Sequence, residues 1–484
     1  MPHRDKDCRS ESGTSAQELL AVIKGLLAGV DWKDVKFRKD CQWTPFGLVA
    51  VALVWAWSTK GTLKERFAQA HGLVFGWGQN FAPVKTSYQA FMKLLVRWTV
   101  PLLGCFLCVL RVVMEREFPN EFRFAGFVIL AGDGSKLRLA RTRSNEARFS
   151  PTRYSAGTRG KKGKRRRKSD RAKARGKKRP RSVAARAQQA KDKKADCPQM
   201  ALTLLYHALL RLPWDWRIGP SASSEREHLG QMIPSLPSDA LIVADCGFYG
   251  YDFWSDIIKG GRHFVIRVGG NVRLLRKLGV VRESNGVVYF WPDAAAKKKR
   301  PPLILRLVVV HDGRQSWHLV TSVLDTKRLS DKQVAQIYRM RWRIELFFRD
   351  FKQTYRREKL RSHKAEHAEC EAHWSLAGLW TMLLHTKIEQ KRQTNEVKQV
   401  SVAKVCRAFG QAIDEQRCVV LKGESLAARL QTALTDGYHR KDRTSRAHPR
   451  KKYEPPTKSP RITTATRSQC NLAQQIVLRT TTQG

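Results

Sequence analysis

Six polar residues between Tyr338 and Arg356 recur at a spacing that a helix would turn into a single stripe. At ~100° per residue, Tyr338, Arg341, Glu345 and Lys352 fall within a ~60° arc, with Arg349 and Arg356 close to it. Ile344, Phe347, Phe348 and Phe351 take the other side and give the helix a face for the core. One carboxylate therefore stands in a row of cations and a phenol. Taken alone, a solvated face with Arg–Glu pairs three or four residues apart has the same pattern, and each such pair contributes only a few tenths of a kcal/mol.

Two more carboxylates keep that stripe company. The apolar runs Gly126–Ala131 (GFVILA) and Asp239–Asp245 (DALIVAD) read as buried strands, and each leads to an aspartate at a glycine-containing turn, Asp133 and Asp245. An Asp at such a point often does no more than start the turn. Two strand-end aspartates with one helical glutamate would also make an all-oxygen site suited to Mg²⁺ or Mn²⁺. Two such ions ~3.5–4 Å apart can activate an attacking oxygen and stabilise a leaving one in phosphodiester cleavage. Cations one or two turns along the same helix would then hold the flanking phosphates.

These groups need elements to position them. Met200–Leu209 and Pro213–Gly219 read as strands, and Ser223–Met232 as a helix opened by a capping serine with Glu225 and Glu227 in its first turn. Arg262–Val268 is a further strand. The order strand, strand, strand, helix, strand, helix, strand predicts a mixed sheet with helices packed against it. Residues 271–328 look like a β-rich insertion, with short runs at Gly286–Trp291, Leu303–Val310 and Trp317–Leu324. A long amphipathic helix starts near Ser330, and more helix follows to about Gln390. Residues 1–120 read as a helical domain, with helices at Ala16–Leu27, Thr44–Trp57 and Tyr88–Met114 and a polar, glycine-containing separator between the last two.

The composition narrows the partners. The 484 residues carry 91 Lys and Arg against 42 Asp and Glu, a net charge of +49, with an ordinary 42% of hydrophobic residues. Such a chain repels itself unless a polyanion neutralises it, so nucleic acid is the first partner to consider. Between Arg159 and Asp196, 19 basic residues stand against 3 aspartates in 38 positions, which predicts a solvated insert without a core. The tail after Tyr438 is basic and rich in Pro, Ser and Thr, and is expected to be disordered. Ten scattered cysteines do not resemble a disulfide framework. The segment at Thr44–Trp57 is short of the ~20 residues that a bilayer needs, and Trp98–Met114 contains Pro101 and Arg111, so both are read as buried helices and no membrane is expected.

The spacing Tyr338-x2-Arg341-x3-Glu345-x6-Lys352 resembles the Y-(2)-R-(3)-E-(6)-K signature of the insertion-sequence-four family of bacterial DDE transposases. Asp133 in AGDGSKL and Asp245 in ADCGFYG look like that family's first and second aspartates, although Cys246 is unusual after the second. PWDWRIGPSASSERE, NVRLLRKLG and PPLILRL…WHLVTSVL are also similar, so the resemblance runs over about 85–390.

The resemblance implies an α/β, RNase H-like mixed sheet flanked by helices, with a β-rich insertion subdomain and a helical N-terminal domain. It divides the chain into an end-binding region (1–120), a first core part (121–270, with a basic disordered insert at 141–197), the insertion (271–328), a second core part with the catalytic helix (329–392), and a helical region with a basic tail (393–484). Asp133, Asp245 and Glu345 would be catalytic and would hold two Mg²⁺ ions, with Mn²⁺ able to substitute. Tyr338, Arg341, Lys352 and Arg349 would contact DNA. Trp291 and Trp317 would be candidates to stack a flipped base, though each has an equal claim as a core tryptophan. The implied partners are double-stranded transposon ends and target DNA, with a dimer bridging two ends in a bacterial, nucleoid-associated cytoplasmic setting. An RNase H-like nuclease, or a DNA-binding protein whose acids are structural, remain the alternatives.

Overall fold

A computed structural model describes residues 15–77, 84, 86–150, 197–283, 286–311, 316–394, 399–415, 424–435 and 458–481. Its centre is a ten-stranded sheet. The first strands are β1 (Val128–Arg138), β2 (Gln199–His207), β3 (Leu212–Pro220), β4 (Ala240–Ala244) and β5 (His263–Val268). Then come β6 (Arg273–Arg276), β7 (Val287–Phe290), β8 (Leu303–His311), β9 (Ser316–Thr321) and β10 (Arg461–Thr464). The spatial order is β10-β6-β7-β8-β9-β5-β4-β1-β2-β3. The first three strands are antiparallel, while β4 and β5 run parallel to β1. This 3-2-1-4-5 order is the RNase H-like arrangement expected from the sequence.

Local chemistry explains these elements. A tight turn with Gly126 at φ 78° precedes β1, and the run Val128–Ala131 is fully buried. The five residues of β4 are buried as well, as parallel strands covered on both faces must be. Ser224 caps the helix Glu225–Met232, and Ser330 with Gln333 forms a reciprocal capping box on the helix Asp331–Met340. The insertion does not form a sheet of its own. Instead β9 pairs with β5, so β6–β9 continue the core sheet.

The helices at both chain ends share one core with the sheet. Thr44 caps the buried helix Pro45–Trp57, which packs on Ala365–Thr394, and Trp57 Nε1 donates to Gly378 O at 2.9 Å. The helix Tyr88–Glu117 is long and apolar enough to cross a membrane by length and composition, and it packs on the same helix, Ala365–Thr394, where Thr99 Oγ1 accepts from Trp374 Nε1 at 2.9 Å.

Three expectations are corrected here. The stretch read as a polar separator contains the helix Leu63–Trp77, because Phe67, Leu73 and Val74 find a buried face. The insert expected at 141–197 begins with an ordered helix, Arg143–Phe149. Phe149 is buried there and Asn145 Nδ2 donates to Ala140 O and Ser362 O; residues 151–196 lie outside the described residues. The tail contributes β10 and the helix Arg467–Thr481, because Ala473 and Ile476 are buried against the core.

A buried histidine, His207, and a partly buried one, His373, make the fold sensitive to acid. His207 Nε2 faces Phe122 O at 3.0 Å, and its Nδ1 accepts from Leu210 N at 3.2 Å. His373 Nδ1 accepts from Trp216 Nε1 at 2.8 Å. An accepting ring nitrogen cannot carry a proton, and burial pushes both rings down to about 4. A depressed histidine contributes stability above its unfolded value of 6.5 and loses it as pH falls through 4. The stability advantage of the wild type over His373→Gln should therefore shrink by on the order of 2–3 kcal/mol between pH 7 and pH 4. Urea unfolding at the two pH values measures it, and an unchanged advantage contradicts the neutral-ring reading.

Candidate active site

The β1–β4 pairing sets Val128 beside Ala240 and Ala131 beside Val243. Carried two residues further, the same register brings Asp133, inside β1, level with Asp245, the residue just past the end of β4, and adjacent strands lie about 4.8 Å apart. Asp133 Oδ1 accepts from Gly134 N at 2.8 Å, but no turn forms there: β1 runs on through Asp133 to Arg138 because β2 pairs with it along that length, whereas Asp245 Oδ1 accepts from Gly247 N at 2.8 Å in the turn after β4. The second oxygen of each accepts no hydrogen bond among the described residues. Burial pushes the Asp133 carboxyl up to about 6. The charges of Asp245 and Glu225 push the same way, and the Gly134 N–H and Arg341 oppose them.

The helix stripe reaches this pair through Arg341. The chain tightens locally at that residue, with Arg341 N donating to Tyr338 O and Ile344 N to Arg341 O, so the helix continues from Asp331–Met340 into Trp342–Arg349 with only a small break. Arg341 Nη2 donates to Glu345 Oε1 at 2.8 Å, and its guanidinium lies over the Tyr338 ring at 5.8 Å. Ile344, Phe347, Phe348 and Phe351 are buried on the opposite side, as the periodicity predicted.

A π-helical turn at Asp350–Thr354 then changes the angular spacing, and Lys352 turns toward β1. Its Nζ donates to Ser135 Oγ at 2.6 Å, two residues beyond Asp133. Arg349 instead pairs with Asp350 at 3.6 Å and is largely exposed.

The donor set is all carboxylate, with one uncommitted oxygen on each aspartate, and in kind it suits a hard divalent cation. Among the described residues, however, no three metal-ligating side chains stand at coordination spacing. Glu345 is paired with Arg341 through one of its oxygens.

The aromatic expectations divide. Trp317 is partly buried and meets Tyr338 edge-on, with ring centroids 5.7 Å apart. Trp291 is corrected: it is buried, and its Nε1 donates to Arg300 O at 2.8 Å, so its faces are spent on the core and no base can stack there.

Two residues went unrecognised in the sequence. Trp342, next to Arg341, is 57% exposed. Its signal was an aromatic on the polar side of an otherwise well-sorted helix. Glu225 stands over Gly134 so closely that a Cβ there would lie 2.0 Å from its Oε1. Burial raises its carboxyl and Asp245 adds to the effect. Acidic residues in a helix's first turn normally answer the helix dipole, and that hid its place beside the aspartates.

A family model described as the transposase DDE domain matches residues 129–380. The transposase InsG for insertion sequence element IS4 of Escherichia coli (strain K12) is 33% identical over 177 residues, which span 34% of this chain and 38% of that relative's length. A cryo-EM structure of a piggyBac transposase synaptic complex with hairpin DNA is similar over 92% of this chain and 90% of that one. Its TM-score is 0.38 and its identity 10%, a likeness too low to carry a structural argument.

Proposed function

Because the chain belongs to the transposase DDE domain family, whose model covers just over half of it, we propose that it cuts the ends of an insertion sequence and joins the freed 3′ ends to target DNA by transesterification. The observation that carries this reading is the register that sets Asp133 level with Asp245, beside the Arg341–Glu345 pair. Asp133, Asp245 and Glu345 are the residues to hold the divalent metal that the family uses, and Mg²⁺ is the best match to their hard oxygens, with Mn²⁺ able to substitute. Two such ions, when bound, would activate the attacking oxygen and stabilise the leaving one.

The chain's own groups do the positioning. Arg341 offers a planar fork to a phosphate, and its attachment to Glu345 couples phosphate binding to release of that carboxylate. Tyr338 and Lys352 add a phenol and an ammonium on either side. Trp317 and Trp342 supply the aromatic faces on which an unstacked base could rest. Double-stranded terminal repeats and target DNA are the substrates of this reading, with the N-terminal helices gripping the ends. A dimer bridges two ends, and the setting is the bacterial nucleoid in the cytoplasm.

A supercoiled plasmid carrying the DNA that flanks this reading frame tests it. With Mg²⁺, the wild-type chain should yield molecules cut at the ends and products in which those ends are joined to new DNA. Cutting without joining would assign a nuclease, and no Mg²⁺-dependent cutting would overturn the proposal.

A further inference from the structure

Beyond the catalytic helix lies a cavity of about 320 Å³ walled by five arginines from three separate segments. Arg66 comes from the helix Leu63–Trp77. Arg356, Arg357 and Arg361 follow the π-helical turn, and Arg407 comes from the helix Val402–Asp414. Arg66 and Arg357 form its floor, at 4% and 5% exposure, while Arg356, Arg361 and Arg407 stand exposed at the rim.

The floor is held by neutral acceptors. Arg66 Nε donates to Lys60 O at 3.0 Å, and Arg357 donates to Ser375 Oγ, Tyr355 O and Ala56 O at 2.9, 3.0 and 2.6 Å. Among the described residues, none of the five arginines forms an ion pair. The nearby buried carboxylate, Glu371, is committed to Arg361 N, Ser362 N and Ser362 Oγ.

Converging guanidiniums that no carboxylate neutralises are costly at a half-buried site. Burial, joined by the charges of Arg357 and Arg361, pushes Arg66 down to about 10, which shows the same excess of positive charge. The three rim arginines, Arg356, Arg361 and Arg407, border the cavity from two segments, and guanidiniums suit a tetrahedral group with several oxygens. We infer that this cavity is a phosphate-binding site, distinct from the carboxylate centre, and that its occupant ties together the N-terminal helices, the segment after the catalytic helix and the C-terminal helices. The phosphate can belong to a nucleic-acid backbone or be free in solution.

The test uses the full chain freed of nucleic acid. Inorganic phosphate at constant ionic strength should raise the wild-type melting temperature by about 2–4 °C over chloride. The rim variant Arg361→Gln/Arg407→Gln should lose that rise, and Arg38→Gln, at an exposed residue elsewhere, should keep it. A 30-base-pair duplex then separates the sources. If the rim variant also lowers the log–log salt slope of DNA binding by about 1.8, the site seats backbone phosphates. If the slope is unchanged while the phosphate effect is lost, the ligand is free phosphate. Equal stabilisation of the wild type and the rim variant, or none of either, overturns the site. The phosphate arm does not depend on transposase activity, so it can fail or succeed independently of the proposed function.

Discussion

Asp133→Asn should reduce strand cleavage by about 10³-fold or more while leaving DNA affinity within two- to threefold of wild type. The amide keeps the oxygen that accepts from Gly134 N, so this local hydrogen bond within β1 survives. What disappears is the charge, and with it the capacity to share a cation with Asp245. The same substitution should stabilise the metal-free protein. An aspartate raised from 3.8 to about 6 contributes its full stability below pH 3.8 and loses it as pH rises through 6. The neutral amide avoids that loss. At pH 7.5 the variant should be more stable by about 1–2 kcal/mol, and at pH 3.5 the difference should vanish. Opposite movements of activity and stability separate a catalytic carboxylate from a structural one. A variant that loses both together contradicts the assignment.

Arg341→Gln is the second large effect expected. This guanidinium binds Glu345, covers Tyr338 and lies within electrostatic reach of Asp133. Its removal takes away the fork proposed for the scissile phosphate and releases Glu345 from its ion pair with Arg341. Cleavage should fall by about 10²-fold. Arg341→Lys should recover only part of this, because an ammonium keeps the charge without the paired geometry. Single-turnover cleavage of the three proteins measures the order, and a lysine variant equal to wild type would show that charge alone is sufficient.

Much of this was legible in the sequence because the signals were redundant. GFVILA and DALIVAD are short, apolar and followed by Asp with Gly, and the family resemblance implied that both acids lie on strands of one sheet; that β1 continues past Asp133 to Arg138 was not legible, because it depends on pairing with β2. The helix that carries Glu345 was legible from its stripe and from its start near Ser330, which the structure shows as a capping box. Other features depended on distant neighbours. Trp291 differs from Trp317 only in what packs on it. The strand Arg461–Thr464 carries one partly buried residue, Ile462, and becomes a strand because β6 offers an open edge. Glu225 looked like an ordinary first-turn acid, and the arginine cavity draws on segments more than 300 residues apart. Periodicity reports the face a residue occupies within its own element, but it is silent on which other element comes to meet that face.

Mn²⁺ binding to the DNA-free chain, followed by electron paramagnetic resonance, bears most directly on the claim that Asp133, Asp245 and Glu345 form one metal centre. The account predicts saturable binding that Asp133→Asn, Asp245→Asn and Glu345→Gln each weaken by about tenfold or more. The Glu345 variant should lose affinity even though this carboxylate is paired with Arg341 in the structure. If all three variants bind Mn²⁺ as the wild type does, the acids do not meet on a metal, and the catalytic reading fails.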